Sequence, residues 1–433
     1  MTQPFLLQKR IYNKRAAAFV FVLFIMGKLH AQDPMVNAWQ PWWPDADTVR
    51  RHAITFSGEY STASDALSNS FVQDYYQGEF LDSGKKARQE EMLISSNRLG
   101  IYNGYSASYS WRNNPDTLRW EFTAAIRDRK ALYGKFSADA FRLAFEGNRA
   151  FEGSTADLGG SHLTYLHWQQ LQLQVSYYAL NKRSVASFGF SVLNGQQLQE
   201  INIREGKLFT ASNGTSIDMT TDASYYSSDT ARTRFFSNNG AGTSFNFRFS
   251  TYLNDSAPFL HHFSFLLQDL GYISWNKNAL IYNVDTSEHF EGVDVSDYIL
   301  NPSDIPALPT KDSLIGAPSK GRVITFLPMG LRAQYTLFTP WRMWMAADVR
   351  AWSYTQSAPQ FSLLGGWKGK KEKVFLHSGI SWGGFTTWQV PFELHWNINS
   401  RFGVTLGTTN LAGYMLPEKM RAQGLYTNLT VAF

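Results

Sequence analysis

The last ten residues constrain the fold more tightly than any other stretch. From Gly424 the chain runs GLYTNLTVAF, so Leu425, Thr427, Leu429, Val431 and Phe433 fall on one face of an extended segment and Tyr426, Asn428, Thr430 and Ala432 on the other. Such a strand needs partners along its edges and an apolar medium against one face. A border strand of a soluble sheet would satisfy the same pattern, so the rest of the chain has to decide.

The opposite end narrows the choice. Lys9, Arg10, Lys14 and Arg15 precede the apolar run from Ala16 to Met26, and Leu29-His30-Ala31 is followed by Gln32-Asp33. This reads as a secretory signal peptide over residues 1–31, cut between Ala31 and Gln32. The apolar run is far shorter than the roughly 20 residues a membrane helix needs. The sequence holds no Cys, which excludes a lipid-anchored cysteine and disulfides. Five of the 40 Lys and Arg residues lie in the first 31 positions and none of the 35 Asp and Glu does, so the remainder is balanced. The basic pI is therefore a property of the targeting segment, and no nucleic-acid partner is inferred from it.

Aromatic residues make up 15% of the chain and charged residues only 17%. No apolar run after the signal is long enough to span a bilayer as a helix. A membrane barrel predicts this combination, because each strand gives alternate residues to lipid and to a polar lumen while aromatics collect at the interfaces. A soluble sandwich of this length would need two domains, and no linker divides the chain.

Period-two alternation recurs throughout. Leu171, Leu173, Val175 and Tyr177 alternate with Gln170, Gln172, Gln174 and Ser176, and Phe245, Phe247 and Phe249 with Asn246, Arg248 and Ser250. Phe392, Leu394 and Trp396 alternate with Glu393, His395 and Asn397. With weaker segments around 198–226 and 279–284, the count is about 14 strands. The expectation is an all-β, transmembrane antiparallel β-barrel of about 14 strands with short helical insertions. Trp111, Trp120, Trp275 and Trp341 stand near strand ends as interface aromatics. Leu429, Val431 and Phe433 form the barrel-assembly signal.

Three regions depart from alternation. Leu67, Phe71 and Tyr75 recur at helical spacing within an insert over about 62–97, at the barrel mouth or in its lumen. Asp139 to Gly153 reads as a further helical turn with a glycine cap. The segment of about 284–321 is acidic and then proline-containing, and reads as a long loop. The domain reading is a signal peptide at 1–31, an N-terminal extension at 32–52 and a barrel at 53–433.

Under the alternation Glu121, Arg127, Arg248, Arg332, Asp348, Arg350, Glu393, His395 and Arg401 point into the lumen. Opposed charges there either pair into a stiffening network or mark a polar path. Phe263, Phe265 and Leu267 face lipid, so unbroken alternation would put Asp269 in lipid at a cost of about 2 kcal/mol or more. A kink at Asp269 and Gly271 is the alternative, and with it a lateral opening in the wall. Catalytic motifs are sparse: neither a Gly-x-Ser-x-Gly elbow nor a His-Glu-x-x-His zinc site occurs, and Asp348, Glu393 and His395 are the nearest hydrolytic set. No metal site or cofactor is expected. The lysines of GWKGKKEK at 366–373 read as a basic hairpin turn facing lipopolysaccharide phosphates.

Phe80-Leu81-Asp82, Asn97-Arg98-Leu99-Gly100, FEGNRAFEG at 145–153, Asp269-Leu270-Gly271-Tyr272-Ile273-Ser274-Trp275, Phe290-Glu291-Gly292-Val293-Asp294 and Gly407-Thr408-Thr409-Asn410-Leu411 together resemble an outer-membrane family of unknown function from Bacteroidota-type bacteria. That family is similar in build to long-chain fatty-acid transporter barrels and to barrel subunits of the type IX secretion system. The resemblance implies an outer-membrane location and a non-enzymatic passive transporter or binder of a small apolar or amphipathic compound. The alternative it leaves open is a non-transporting barrel that binds secretion or surface-assembly partners. The remaining partners expected are outer-membrane lipid, lipopolysaccharide and the barrel assembly machinery.

Overall fold

The computed structural model describes residues 52–112, 120–179, 184–229, 234, 236–253, 258–291, 316–369, 373–399 and 401–433. The signal peptide, its cleavage site and nearly all of the N-terminal extension lie outside these residues. Fourteen strands close a ring, each formed where the sequence alternates. They are β1 (His52–Ser64), β2 (Ser96–Arg112), β3 (Trp120–Ser137), β5 (His162–Tyr178) and β6 (Ser184–Thr210), then β8 (Gly240–Tyr252), β9 (Leu260–Trp275) and β13 (Met329–Phe338). The ring continues through β14 (Met343–Ser353), β15 (Gln360–Lys368), β16 (Val374–Gly383), β18 (Phe392–Asn397), β19 (Phe402–Thr408) and β20 (Ala422–Ala432). All neighbours are antiparallel, and β1 pairs with β20 from Ala53 opposite Ala432 to Ala63 opposite Ala422, so the sheet has no seam. The alternating tail therefore seals the barrel, with its Leu425 and Leu429 on the outside.

The two faces are inverted relative to a soluble protein. Ile126, Leu171, Leu173, Met345 and Leu363 are more than half exposed on the outside, while Glu59, Arg129, Asp348 and Glu393 are buried inside. A sandwich would bury the aliphatic face and wet the polar one, so the wall is built for an apolar surround. No helix among the described residues is long and apolar enough to cross a membrane.

The two ends differ. At one end only a few residues of sequence separate β2 from β3, β5 from β6, β8 from β9, β13 from β14, β15 from β16, and β18 from β19, and both His52 and Phe433 lie there, bonded backbone to backbone. Trp111, Trp120, Tyr177, Trp367 and Trp396 line its outer rim. At the other end lie the long connections. Helices α1 (Asn69–Gln77), α2 (Ser83–Glu90) and α3 (Ala138–Glu146) start at Ser68, Asp82 and Ser137, whose side chains accept the backbone N–H of Phe71, Lys85 and Ala140. The stripe read in the sequence is packing: Phe71 meets Phe141 at a tilt and Phe145 edge to face, and Tyr75 also meets Phe145 edge to face. These helices sit against one another at the β1–β3 rim.

The sheet extends beyond the ring at this end. The distal half of β6 pairs with β7 (Ser216–Ser227) and β4 (Ser154–Asp157), and β7 pairs with β10 (Ala279–Glu291). A short β11 (Ser319–Gly321) adds to β10, while β12 (Ile324–Phe326) and β17 (Thr386–Gln389) extend the pairing of β9 and β16. Residues 284–291, read as the start of a loop, belong to β10, because Val284, Thr286 and Phe290 continue an alternation that the acidic composition masks. The rest of that loop, 292–315, lies outside the described residues.

Candidate functional site

The lumen is built in two layers. Toward the long connections, Ala131, Tyr133, Leu166, Trp168, Ile273 and Trp275 form a buried apolar cluster. Trp275, expected at the membrane interface, is instead fully buried inside. The cause is a bulge on β9. Gln268 and Asp269 together oppose Asn246 of β8, so the parity flips: Phe263, Phe265 and Leu267 face out before it, and Leu270 and Tyr272 face out after it.

Asp269 adopts φ of 56°, a left-handed conformation that Asp and Asn tolerate better than other side-bearing residues. Its carboxylate turns into the barrel, where Arg129 Nη1 donates to it at 2.6 Å with both side chains at 0% exposure. Gln170 donates to the other oxygen at 3.2 Å, and the Asn246 side chain accepts the Asp269 N–H at 2.6 Å. On the far side the ladder breaks at Leu327-Pro328, though Leu327 N–H still reaches the Gly271 carbonyl at 3.0 Å. A bead added at Gly271 would strike the β8 backbone, so β8 and β9 are pressed together here.

A cavity of about 120 Å³ lies within this layer. Ala131, Tyr133 and Gly100 form one side, Trp352 and Phe385 the opposite side, and Glu59 and Gln360 are among the polar residues at its margin. Phe385 reaches it because Gly383 and Gly384 both take positive φ, 96° and 77°, in the turn after β16. Its ring leaves room only for hydrogen at Gly100, where a Cβ would sit 2.4 Å from it.

Toward the short connections the interior is charged. Asp348 accepts from Arg332 Nε at 2.5 Å and from Arg350 Nε at 2.9 Å, and Arg332 also donates to Gln334 at 3.0 Å. Tyr426 donates to Glu393 at 2.8 Å, with His377 Nδ1 3.8 Å from the same carboxylate. Glu121 is held by Arg112 at 2.9 Å and by Tyr178, over whose ring the Arg112 guanidinium stacks. Arg127 faces the lumen opposite Gln170. Below these charges Phe338, Trp344, Ala346 and Leu364 form a small inner apolar cluster.

The expected lumen residues are thus brought inside, with one exception. Arg401 is exposed in the turn before β19, because the strand begins only at Phe402. His395 bonds Thr405 and Asn397 rather than a carboxylate or serine, so the hydrolytic set is not assembled. No cluster of three metal-ligating side chains occurs among the described residues. Phe385 and the His377–Glu393–Tyr426 group escaped sequence reading. His377 opposite Glu393 follows from aligning two alternating strands, whereas only the Gly-Gly-aromatic turn hinted at Phe385.

The profile of a family of unknown function, DUF5723, matches residues 54–371. The chain belongs to that family. Its matched span covers the ring from β1 through β15, including the bulge and most of the cavity wall. No curated protein matches the chain. Among solved structures, the toluene transporter TodX of Pseudomonas putida is similar at 10% identity over 88% of this chain and 90% of that one, with a TM-score of 0.45. A FadL homologue of Pseudomonas aeruginosa is similar at 10% identity over 89% and 91%, TM-score 0.43. The translocator domain of the autotransporter NalP from Neisseria meningitidis is similar at 5% identity over 98% and 96%, TM-score 0.33.

Proposed function

We propose that this protein is an outer-membrane barrel of a Gram-negative, Bacteroidota-type cell that takes up a small, mainly apolar compound in its lumen and passes it without chemical change. The observation that carries the proposal is the cavity. Its volume is comparable to the roughly 150 Å³ apolar cavity that suffices for benzene in an engineered protein, and the surface it presents is mostly apolar, with Glu59, Ser61, Thr62, Thr355, Gln360, Gln389 and Thr409 supplying polar groups along its open margin. The inverted wall supports the membrane setting. The short connections would face the periplasm and the long connections the exterior, as in bacterial barrels generally. In that orientation Gly369 and Lys373, the described residues that flank Lys370-Lys371-Glu372, would lie at the periplasmic end.

Titration of purified protein with benzyl alcohol, followed by tryptophan fluorescence, tests the reading, since Trp352 lines the cavity. Saturable binding supports it; a strictly linear, non-saturating response would refute it. A second reading, a barrel that binds a partner and transports nothing, is favoured by the projecting β6–β7–β10 part of the sheet, which the lumen chemistry does not require.

A further inference from the structure

Hydrogen-bonded rows in a tilted barrel are not rings; they climb the wall as a staircase. One interior row begins at Arg248. It passes through Leu266 to Arg332, then Arg350, and ends at Gln360, a cavity residue. In the other direction Arg248 leads through Ser187 and Ser176 to Glu121 and Arg112 at the end with the short connections. The row thus joins the cavity to the opposite end of the lumen.

Four arginines stand on it, and the acids that answer them are Glu121, taken by Arg112, and Asp348, shared by Arg332 and Arg350. Arg248 is left over. Among the described residues it makes no hydrogen bond or ion pair, and its ionisable neighbours are Tyr178, Arg332 and Glu121. A guanidinium inside a barrel with five unanswered donors is poised for an acceptor that the chain does not supply.

We infer that the solute is an organic anion with a small apolar body, its charged group received by Arg248 on a stepwise path from the cavity along Arg350 and Arg332. The inference rests on the cavity reading above and adds the charge of the solute. Arg248 is the informative position because replacing it strands no carboxylate, whereas replacing Arg332 or Arg350 would strip Asp348.

The test compares three probes of similar size on the purified, folded protein: benzyl alcohol, benzenesulfonate and phenyltrimethylammonium. Benzenesulfonate is expected to bind at least about tenfold more tightly than the cation, in line with a charge-assisted hydrogen bond. Arg248→Gln abolishes that preference and Arg248→Lys restores most of it, with heat-modifiable migration on gels confirming that each variant folds. Binding of benzyl alcohol without any preference between the two ions overturns the inference, leaves the cavity reading standing and reduces Arg248 to a solvated cation. A preference that survives Arg248→Gln overturns the assignment to this residue. Binding of none of the three overturns the cavity reading and this inference with it.

Discussion

Asp269→Asn isolates the electrostatic cost of the bulge from its backbone cost. Asn keeps the tolerance for the left-handed conformation, so the strain of about 1–2 kcal/mol that a residue such as Leu would add does not enter. Its side-chain oxygen can still accept from Gln170. What is lost is the charge opposite Arg129, and both side chains are fully buried at 2.6 Å. Leaving one member of a buried pair uncompensated costs about 3–5 kcal/mol. Removing both charges, in Arg129→Met with Asp269→Asn, should return most of this, giving a coupling energy of about 2 kcal/mol or more in a double-mutant cycle. Guanidinium unfolding in detergent micelles, read by tryptophan fluorescence and by heat-modifiable migration, supplies the four free energies. A loss under about 1 kcal/mol for Asp269→Asn alone would refute the reasoning, as would a double variant that simply sums the two single losses.

Leu173→Arg on the outer face should cost about 2–4 kcal/mol in lipid vesicles, against less than about 1 for Gln174→Arg one residue away on the lumen side; equal losses would mean the faces are misassigned. Gly100→Leu must displace Phe385 and occupy the cavity, so benzyl alcohol affinity should fall about tenfold or more. Adding Phe385→Ala to it should recover part of the loss, and an unchanged affinity in Gly100→Leu would place binding elsewhere. In the projecting part of the sheet His289 bonds Asp218 at 2.5 Å, and this bond holds the imidazolium above its ordinary range. The contribution to the β7–β10 pairing is full below the unfolded value of about 6.5 and fades as pH rises through the raised folded value. Amide exchange around Asp218 and His289 should therefore quicken, relative to the intrinsic rate, on raising pH. His289→Gln should remove that dependence, and a variant with the same dependence would sink the argument.

The barrel was legible because its rule is local. Period two needs only neighbours in sequence, so most ring strands, and the alternating tail that ends in Leu429, Val431 and Phe433, could be read from alternation, whereas β15 and the short β4, β11 and β17 could not. The inward placement of Arg248, Asp348 and Glu393 followed by the same parity. What the rule could not supply is where parity breaks. Trp275 and Trp111 look alike as aromatics at strand ends, yet the extra residue at Asp269 sends Trp275 into the core and leaves Trp111 on the rim. A bulge is set by what the displaced residue meets on distant strands, here Arg129 and Gln170, and those are brought near only once the ring closes. Phe385 failed to announce itself for the same reason: its turn is local, but Gly100, the residue that accommodates it, lies on the opposite wall. The acidic stretch after Val284 erred in the other direction, since charge disguised a strand whose partner, β7, interrupts the ring order. The staircase from Arg112 to Gln360 combines both kinds of information. Each of its steps has the right parity in the sequence, but their order around the wall is fixed by eight separate strand registers. A slip of one residue in any of those registers would turn every later side chain to the other face and dissolve the row. The arginine path is therefore the most exacting consequence of the fold, and the charge preference at Arg248 tests the registers as well as the solute.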